Sequence, residues 1–258
     1  MTGFFLKKAF FDGWDNLISM VVHNLGFLLV LLAIMGSMSL MGINGPLGFL
    51  ALLASAGLFS FMSAGTASST HAYANYEHGG WEGFRRGIRE SWRHALLYWL
   101  LLILDISLIL FVIPFYLSYG SMIGTLLSVL LFWLFLGLTF ALFYFFPLFT
   151  VMKGDRPLKT LKKSFLLVFD NLFFTIFLAI YQVINLALSL LLAGLAPSFT
   201  GIMLANSDAV KLLMLKYDYM EEHPDTNRKE IPWEELLYEE RECVGHRSLK
   251  NMIFPWKD

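Results

Sequence analysis

Long apolar runs alternate with short polar stretches along this chain, and the lengths of those runs set the first expectation. A helix rising 1.5 Å per residue needs about 20 apolar residues to cross about 30 Å of hydrocarbon. Five runs fall in that range: residues 25–41, 46–67, 95–117, 122–149 and 172–194. A sixth, 196–215, contains Asn206, Ser207, Asp208 and Lys211, and taken alone it also suits a surface helix. Pro114 and Pro147 fall inside the third and fourth runs and predict kinks there.

The stretches ahead of the first, third and fifth runs have a different period. Leu6-Lys-Lys-Ala-Phe-Phe-Asp-Gly-Trp-Asp-Asn-Leu17 and Leu161-Lys-Lys-Ser-Phe-Leu-Leu-Val-Phe-Asp-Asn-Leu172 are identical at seven of twelve positions. Phe84-Arg-Arg-Gly-Ile-Arg-Glu-Ser-Trp-Arg-His-Ala95 has the same class pattern, and the three copies start 78 and 77 residues apart. Apolar positions at i, i+4, i+8 and i+11 place one apolar face on a helix, with a basic pair directly after its first residue. The repeating unit is a basic amphipathic helix followed by two spans, over about 1–78, 79–155 and 156–216, a period that signals fold-level duplication. A third unit needs a second span, so residues 196–215 are expected to be the sixth. Small residues four apart (Ala56, Ser60, Ala64 and Ser68; Gly137 and Ala141; Gly201, Ala205 and Ala209) suit close helix approach in lipid. The expected fold is therefore all-α: a polytopic transmembrane bundle of six spans over residues 1–216.

Charge gives the orientation, because Lys and Arg in short loops stay cytoplasmic. Lys7 and Lys8, then Arg85, Arg86, Arg89 and Arg93, then Lys153, Arg156, Lys159, Lys162 and Lys163 all fall on one side. The alternate connections at 42–45, 118–121 and 195–198 carry none. Both termini are expected to be cytoplasmic. Residues 217–258 hold eleven acidic against six basic side chains, an acidic cytoplasmic tail that either packs under the helices or offers a partner motif. Within it 233–240 suits a short helix, and Ile253-Phe-Pro-Trp-Lys257 is an aromatic end.

Composition narrows the function classes. Hydrophobic residues make up 57% of 258 and charged residues 15%, against roughly a quarter charged in soluble domains. A net charge of −1 leaves no basic excess for nucleic acid. Cys243 is the only cysteine, and no Cys/His spacing suited to a metal occurs. The charges at Lys7, Lys8, Asp12 and Asp15 do not fit a cleavable signal. Walker A, GxSxG and HExxH motifs are absent, so neither an enzyme nor a cofactor is expected.

The candidate ligand or ion residues are the polar groups inside apolar runs. Asp105 lies mid-run in the third, where a carboxylate costs about 2.5–3.5 kcal/mol on insertion scales and should face a partner or a wet cavity. Gln182 and Asn185 on the fifth run and Lys211 on the sixth are its expected partners, while Asp208 and Lys211, three apart, could pair locally. Hydroxyls at 63–70 are expected to bond backbone carbonyls one turn earlier, and His71, His78 and His94 to be hydrated or capping. Lys7, Lys8, Arg85, Arg86, Arg89, Lys162 and Lys163 suit either lipid phosphates or a docking partner.

Phe143-Tyr-Phe-Phe-Pro-Leu-Phe-Thr150 followed by Leu158-Lys-Thr-Leu-Lys-Lys-Ser-Phe165, and Gly83-Phe-Arg-Arg-Gly-Ile-Arg-Glu-Ser-Trp92 before the third run, resemble the YesL-like family of bacterial membrane proteins. The likeness covers about residues 5–215; the chain departs in lacking a proline near Leu58-Phe-Ser-Phe61 and in its long acidic tail. That family has no established activity or site residues. The resemblance implies the bacterial inner membrane and an accessory role beside sugar-uptake ABC transporter subunits. Two functions are thus expected to compete: a non-enzymatic scaffold or accessory protein, and a small transporter or channel with a polar site around Asp105, for which parallel two-span repeats provide a precedent.

Overall fold

The structure is a computed structural model that describes residues 1–225, 231–245 and 247. It is all-helical among those residues. Three helices of 10 to 14 residues each lead directly into a long one: α1 (Thr2–Asp15) into α2 (Leu17–Ile43), α4 (Trp81–Glu90) into α5 (Trp92–Ser107), and α8 (Pro157–Asp170) into α9 (Leu172–Leu191). A single polar residue makes each joint. Asn16 and Asn171 bond back through Nδ2 to the carbonyls of Asp12 (2.9 Å) and Leu167 (3.2 Å), and Ser91 Oγ to that of Gly87 (2.5 Å). Each of these carbonyls also accepts the backbone N–H of the same joint residue, so the side chain adds a second local bond at the helix end. Aligned on the sequence copies, the joint in the middle copy comes about one turn early, at Ser91.

Returning helices are α3 (Gly45–Ala74), α7 (Met122–Val151) and α10 (Ser198–Glu222). A π-helical turn, Leu108–Val112, follows α5 and runs into α6 (Ile113–Ser118). Pro114 has no N–H to donate and its ring crowds the carbonyl four residues back, which explains the widened turn. Pro147 lies inside α7, which continues to Val151. Five helical stretches are long and apolar enough to cross a membrane: Leu17–Ile43, Gly45–Ala74, Trp92–Ser118, Met122–Val151 and Leu172–Leu191. A stretch of 27 residues is about 40 Å long, enough for a tilted crossing. Their outward faces present Leu29, Leu32, Phe111, Trp133, Phe173 and Leu190. Lipid accepts such a surface, whereas water would drive it to aggregate.

α10 is the sixth apolar segment of the sequence, yet it is the most enclosed helix. It packs against α1, α2, α3, α7 and α9. Ala205, Ala209, Val210, Leu212 and Leu213 lie in one core with Phe5, Ala141, Tyr144, Leu148 and Leu178. Phe5 carries α1 into that core and sits edge-on to Phe174, Phe177 and Tyr181, with ring centroids 5.5, 6.1 and 5.4 Å away. Close approach of α3 and α4 requires glycine. A Cβ on Gly87 would lie 2.5 Å from that of Ser68, and one on Gly65 2.6 Å from the Phe84 ring.

Two tail expectations need correction. The helix containing 196–215 runs on to Glu222, past the expected end of the run at 215. In place of one short helix over 233–240 there are two, α11 (Trp233–Leu236) and α12 (Tyr238–Val244), with the buried Leu237 between them in the same core as Phe5. The aromatic segment 253–257 lies outside the described residues.

Candidate functional site

At the end of the bundle where α1, α4 and α8 lie, four segments bring five charged side chains and a tyrosine together. α1 supplies Lys8 and, one turn on, Asp12; α10 supplies Asp208 and Lys211; the turn after α3 supplies Tyr76; α12 supplies Glu240. The anchor is a carbonyl. Ala74 ends α3, and its oxygen takes hydrogen bonds from both Lys8 Nζ and Lys211 Nζ, each 2.9 Å. Two cations at a helix C-terminus satisfy its unpaired acceptor and oppose its dipole.

Lys8 Nζ lies 2.8 Å from Asp12 Oδ2, 3.2 Å from Glu240 Oε2 and 3.7 Å from Asp208 Oδ1, and donates to Tyr76 Oη at 2.9 Å. Lys211 meets Glu240 Oε1 at 2.6 Å, and the Tyr76 hydroxyl donates to Glu240 Oε2 at 2.8 Å. Both ammonium groups also lie over the Tyr76 ring. Burial disfavours the Lys8 ammonium, but Asp208 and Asp12 outweigh it and push its pKa above the usual lysine range. Burial raises Asp12 despite Lys8. Burial would also raise Glu240, but Lys211 and Lys8 hold it below the ordinary carboxylate range.

These contacts correct three expectations. Lys8 is fully buried, so it is no part of a membrane-facing or docking surface. Asp208 and Lys211 do not form a closed local pair; Lys211 binds Glu240, and the ion-pair partner of Asp208 is Lys8. Lys211 is not a partner of Asp105 either. Asp12, Tyr76 and Glu240 were not singled out from the sequence; the four-residue spacing of Lys8 and Asp12 was the available signal.

The remaining polar groups of the apolar helices fall into separate sets. Asp105 Oδ2 accepts from Thr139 Oγ1 (2.9 Å) across α5 and α7, whereas Oδ1 is buried without a hydrogen-bond partner. Gln182 Nε2 donates to Asn206 Oδ1 (2.7 Å), and Asn185 Nδ2 to Gln182 Oε1 (3.4 Å). Gln182 and Asn185 thus bond within the α9–α10 seam instead of meeting Asp105. Further along, Asn24 of α2 donates to the carbonyls of Leu195 and Pro197 and accepts from Thr200 N, fixing the α9–α10 connection.

On the basic faces, Arg85, Arg86, Arg89 and Lys162 are exposed. Lys7 donates to the Gly245 carbonyl at 2.8 Å. Lys163 and Lys159 both bind Asp155, at 2.5 and 2.6 Å, and hold its carboxyl below the usual range. Arg86 also edges a polar cleft of about 250 Å³ lined by His71, Glu77, Glu90 and Lys153 over Ala64 and Gly87. His94, expected to be hydrated or capping, is instead buried with Nε2 3.1 Å from Thr160 Oγ1. Ser63 bonds the carbonyl one turn back, as its position suggested, while Thr70 also reaches Ser207 Oγ at 3.0 Å.

Cys243 is free and exposed, and among the described residues no group of three His, Cys, Asp or Glu side chains is placed to hold a metal ion. No protein family, curated protein or solved structure matches this chain, so the YesL-like resemblance rests on its motifs alone.

Proposed function

We propose that this protein is a non-enzymatic scaffold or accessory protein of a bacterial plasma membrane, with its basic face toward the cytoplasm. In this reading α10 is the sixth crossing, both termini are cytoplasmic, and the fold is three copies of an amphipathic helix followed by two spans. The observation that carries it is how polarity is distributed. Gln182, Asn206, Asn185 and Asn24 are occupied in joining helices, whereas Arg85, Arg86 and Arg89 are exposed on one short helix at the basic end. Arginine offers planar, multidentate recognition of carboxylate or phosphate, which suits docking better than chemistry. The motif resemblance adds sugar-uptake ABC transporter subunits as the partner class.

Replacing Arg85, Arg86 and Arg89 together by glutamine is expected to remove a partner co-purified from native membranes by roughly tenfold or more, while the protein stays in the membrane fraction. Unchanged co-purification would assign the arginines to lipid phosphates, at about 1 kcal/mol each.

A second reading, a small transporter, is favoured by Asp105. Its Oδ1 is buried without a partner one turn before the π-helical turn, and such turns are frequent at functional sites. In proteoliposomes, Asp105→Asn is then expected to abolish solute or proton flux; flux that survives the substitution would remove Asp105 from the pathway.

A further inference from the structure

The cluster at Lys8 contains two ammonium groups and three carboxylates. Lys8, Asp12 and Asp208 have side chains no more than 1% exposed, while Lys211 and Glu240 form the rim, at 20% and 11%. With every group ionised, the enclosed set carries a net charge of −1. Glu240 has full compensation, from Lys211, Lys8 and the Tyr76 hydroxyl. Asp208 has only Lys8 of these. Neither of its oxygens receives a hydrogen bond, and Lys8 is its nearest cation at 3.7 Å. The enclosed Asp12 carboxyl lies on the same ammonium, 2.8 Å from Lys8 Nζ against 3.7 Å for Asp208, so the two acids share one cation, and a hydrogen bond can join them only when one carries a proton.

We propose that Asp12 and Asp208 form a proton-binding site, one proton being shared between the two carboxyls and making the cluster neutral. Two acids that share one cation away from water oppose each other's ionisation, so they titrate as a pair. The charged and titratable groups facing the pair are Lys8 on α1, Lys211 on α10, Tyr76 after α3, Glu240 on α12 and, from α9, Tyr181. Water meets the cluster at its rim, where the Lys211 and Glu240 side chains are 20% and 11% exposed. Deprotonation transfers the proton to that water and leaves a third enclosed carboxylate. In the other direction Tyr181 lies one turn before Asn185, which donates to Gln182 Oε1 (3.4 Å) and whose carbonyl accepts from Ser189 Oγ (2.7 Å) on the same helix.

Infrared difference spectra of the full chain in lipid nanodiscs, recorded across steps of pH in H₂O and D₂O, test the assignment. An Asp105→Asn background removes the other buried membrane carboxyl. One protonated-carboxyl band, shifting in D₂O, is expected at neutral pH, and it should vanish in Asp208→Asn. Asp12→Asn provides the same test should Asp208→Asn fail to fold. Glu240→Gln removes one negative charge, so two carboxylates then balance two ammonium groups. The band should titrate away at a pH at least one unit lower. A hydrogen bond without the charge balance would not respond in this way. Absence of the band at neutral pH, its persistence in the folded aspartate variant, or an unmoved titration in Glu240→Gln would overturn the proposal.

Discussion

Replacing Lys8 by methionine is expected to destabilise the protein by about 3–5 kcal/mol, the range for removing one partner of a buried ion pair. Methionine preserves the length of the stem, so the loss is electrostatic. Asp12, Asp208 and Glu240 would retain only Lys211, and the Ala74 carbonyl and the Tyr76 hydroxyl would each lose a donor. The penalty arises from carboxylates left without compensation, so it should be relieved by neutralising one of them. Lys8→Met with Asp208→Asn is expected to recover a substantial part of the loss, a coupling that a double-mutant cycle in detergent unfolding measures directly. Lys211→Met should cost less, because that ammonium lies at the rim where water can replace it. Equal losses at both lysines, or no coupling to Asp208, would contradict the geometry of the cluster.

Gly87→Val is the second large effect, and its cause is steric. The added Cβ alone would come within 2.5 Å of Ser68 Cβ, 3.1 Å of the Ala64 carbonyl oxygen and 3.2 Å of Gly65 Cα. Two of those atoms are backbone and cannot move aside, so α4 must separate from α3. Overpacking of this kind costs about 1–3 kcal/mol, and here the consequence is local. The exposed arginines of α4 would lose their fixed position, and partner capture should fall as it does in the triple arginine variant. Gly83→Ala is the control, because a Cβ there meets nothing within 4 Å. It should be neutral or stabilising by up to about 1 kcal/mol from helix propensity. Cysteine labelling on the two helices, read alongside thermal unfolding, separates displacement of α4 from global loss of the fold.

The five long helices were legible in the chain because lipid imposes one requirement, an apolar run of sufficient length, and runs such as 122–149 meet it without interruption. The short helices ahead of them were legible from their 3.6-residue period. The ends were not. Asn16 and Asn171 bend the chain by bonding a carbonyl four residues back, and nothing in apolar periodicity anticipates that Ser91 does so a turn earlier. Partner choice was the least legible feature. Lys8, Arg86 and Lys163 occupy the same place in the three sequence copies, yet the first is enclosed in ion pairs, the second edges a cleft, and the third binds a loop aspartate. The difference comes from what lies opposite each of them. α12 contributes Glu240 from more than 160 residues after Tyr76, a juxtaposition that no local pattern encodes. Asp105 misled for a related reason: a carboxylate in an apolar run demands a partner, but hydropathy does not say which helix is adjacent, and Thr139 supplied it.

The enclosed position of α10 has a consequence for biosynthesis. Translation proceeds from the first residue, so the helices that surround residues 198–222 leave the ribosome before the segment they enclose. Until it arrives, the faces of α1, α3, α7 and α9 that pack on it lack that partner, and the nascent chain cannot complete its core.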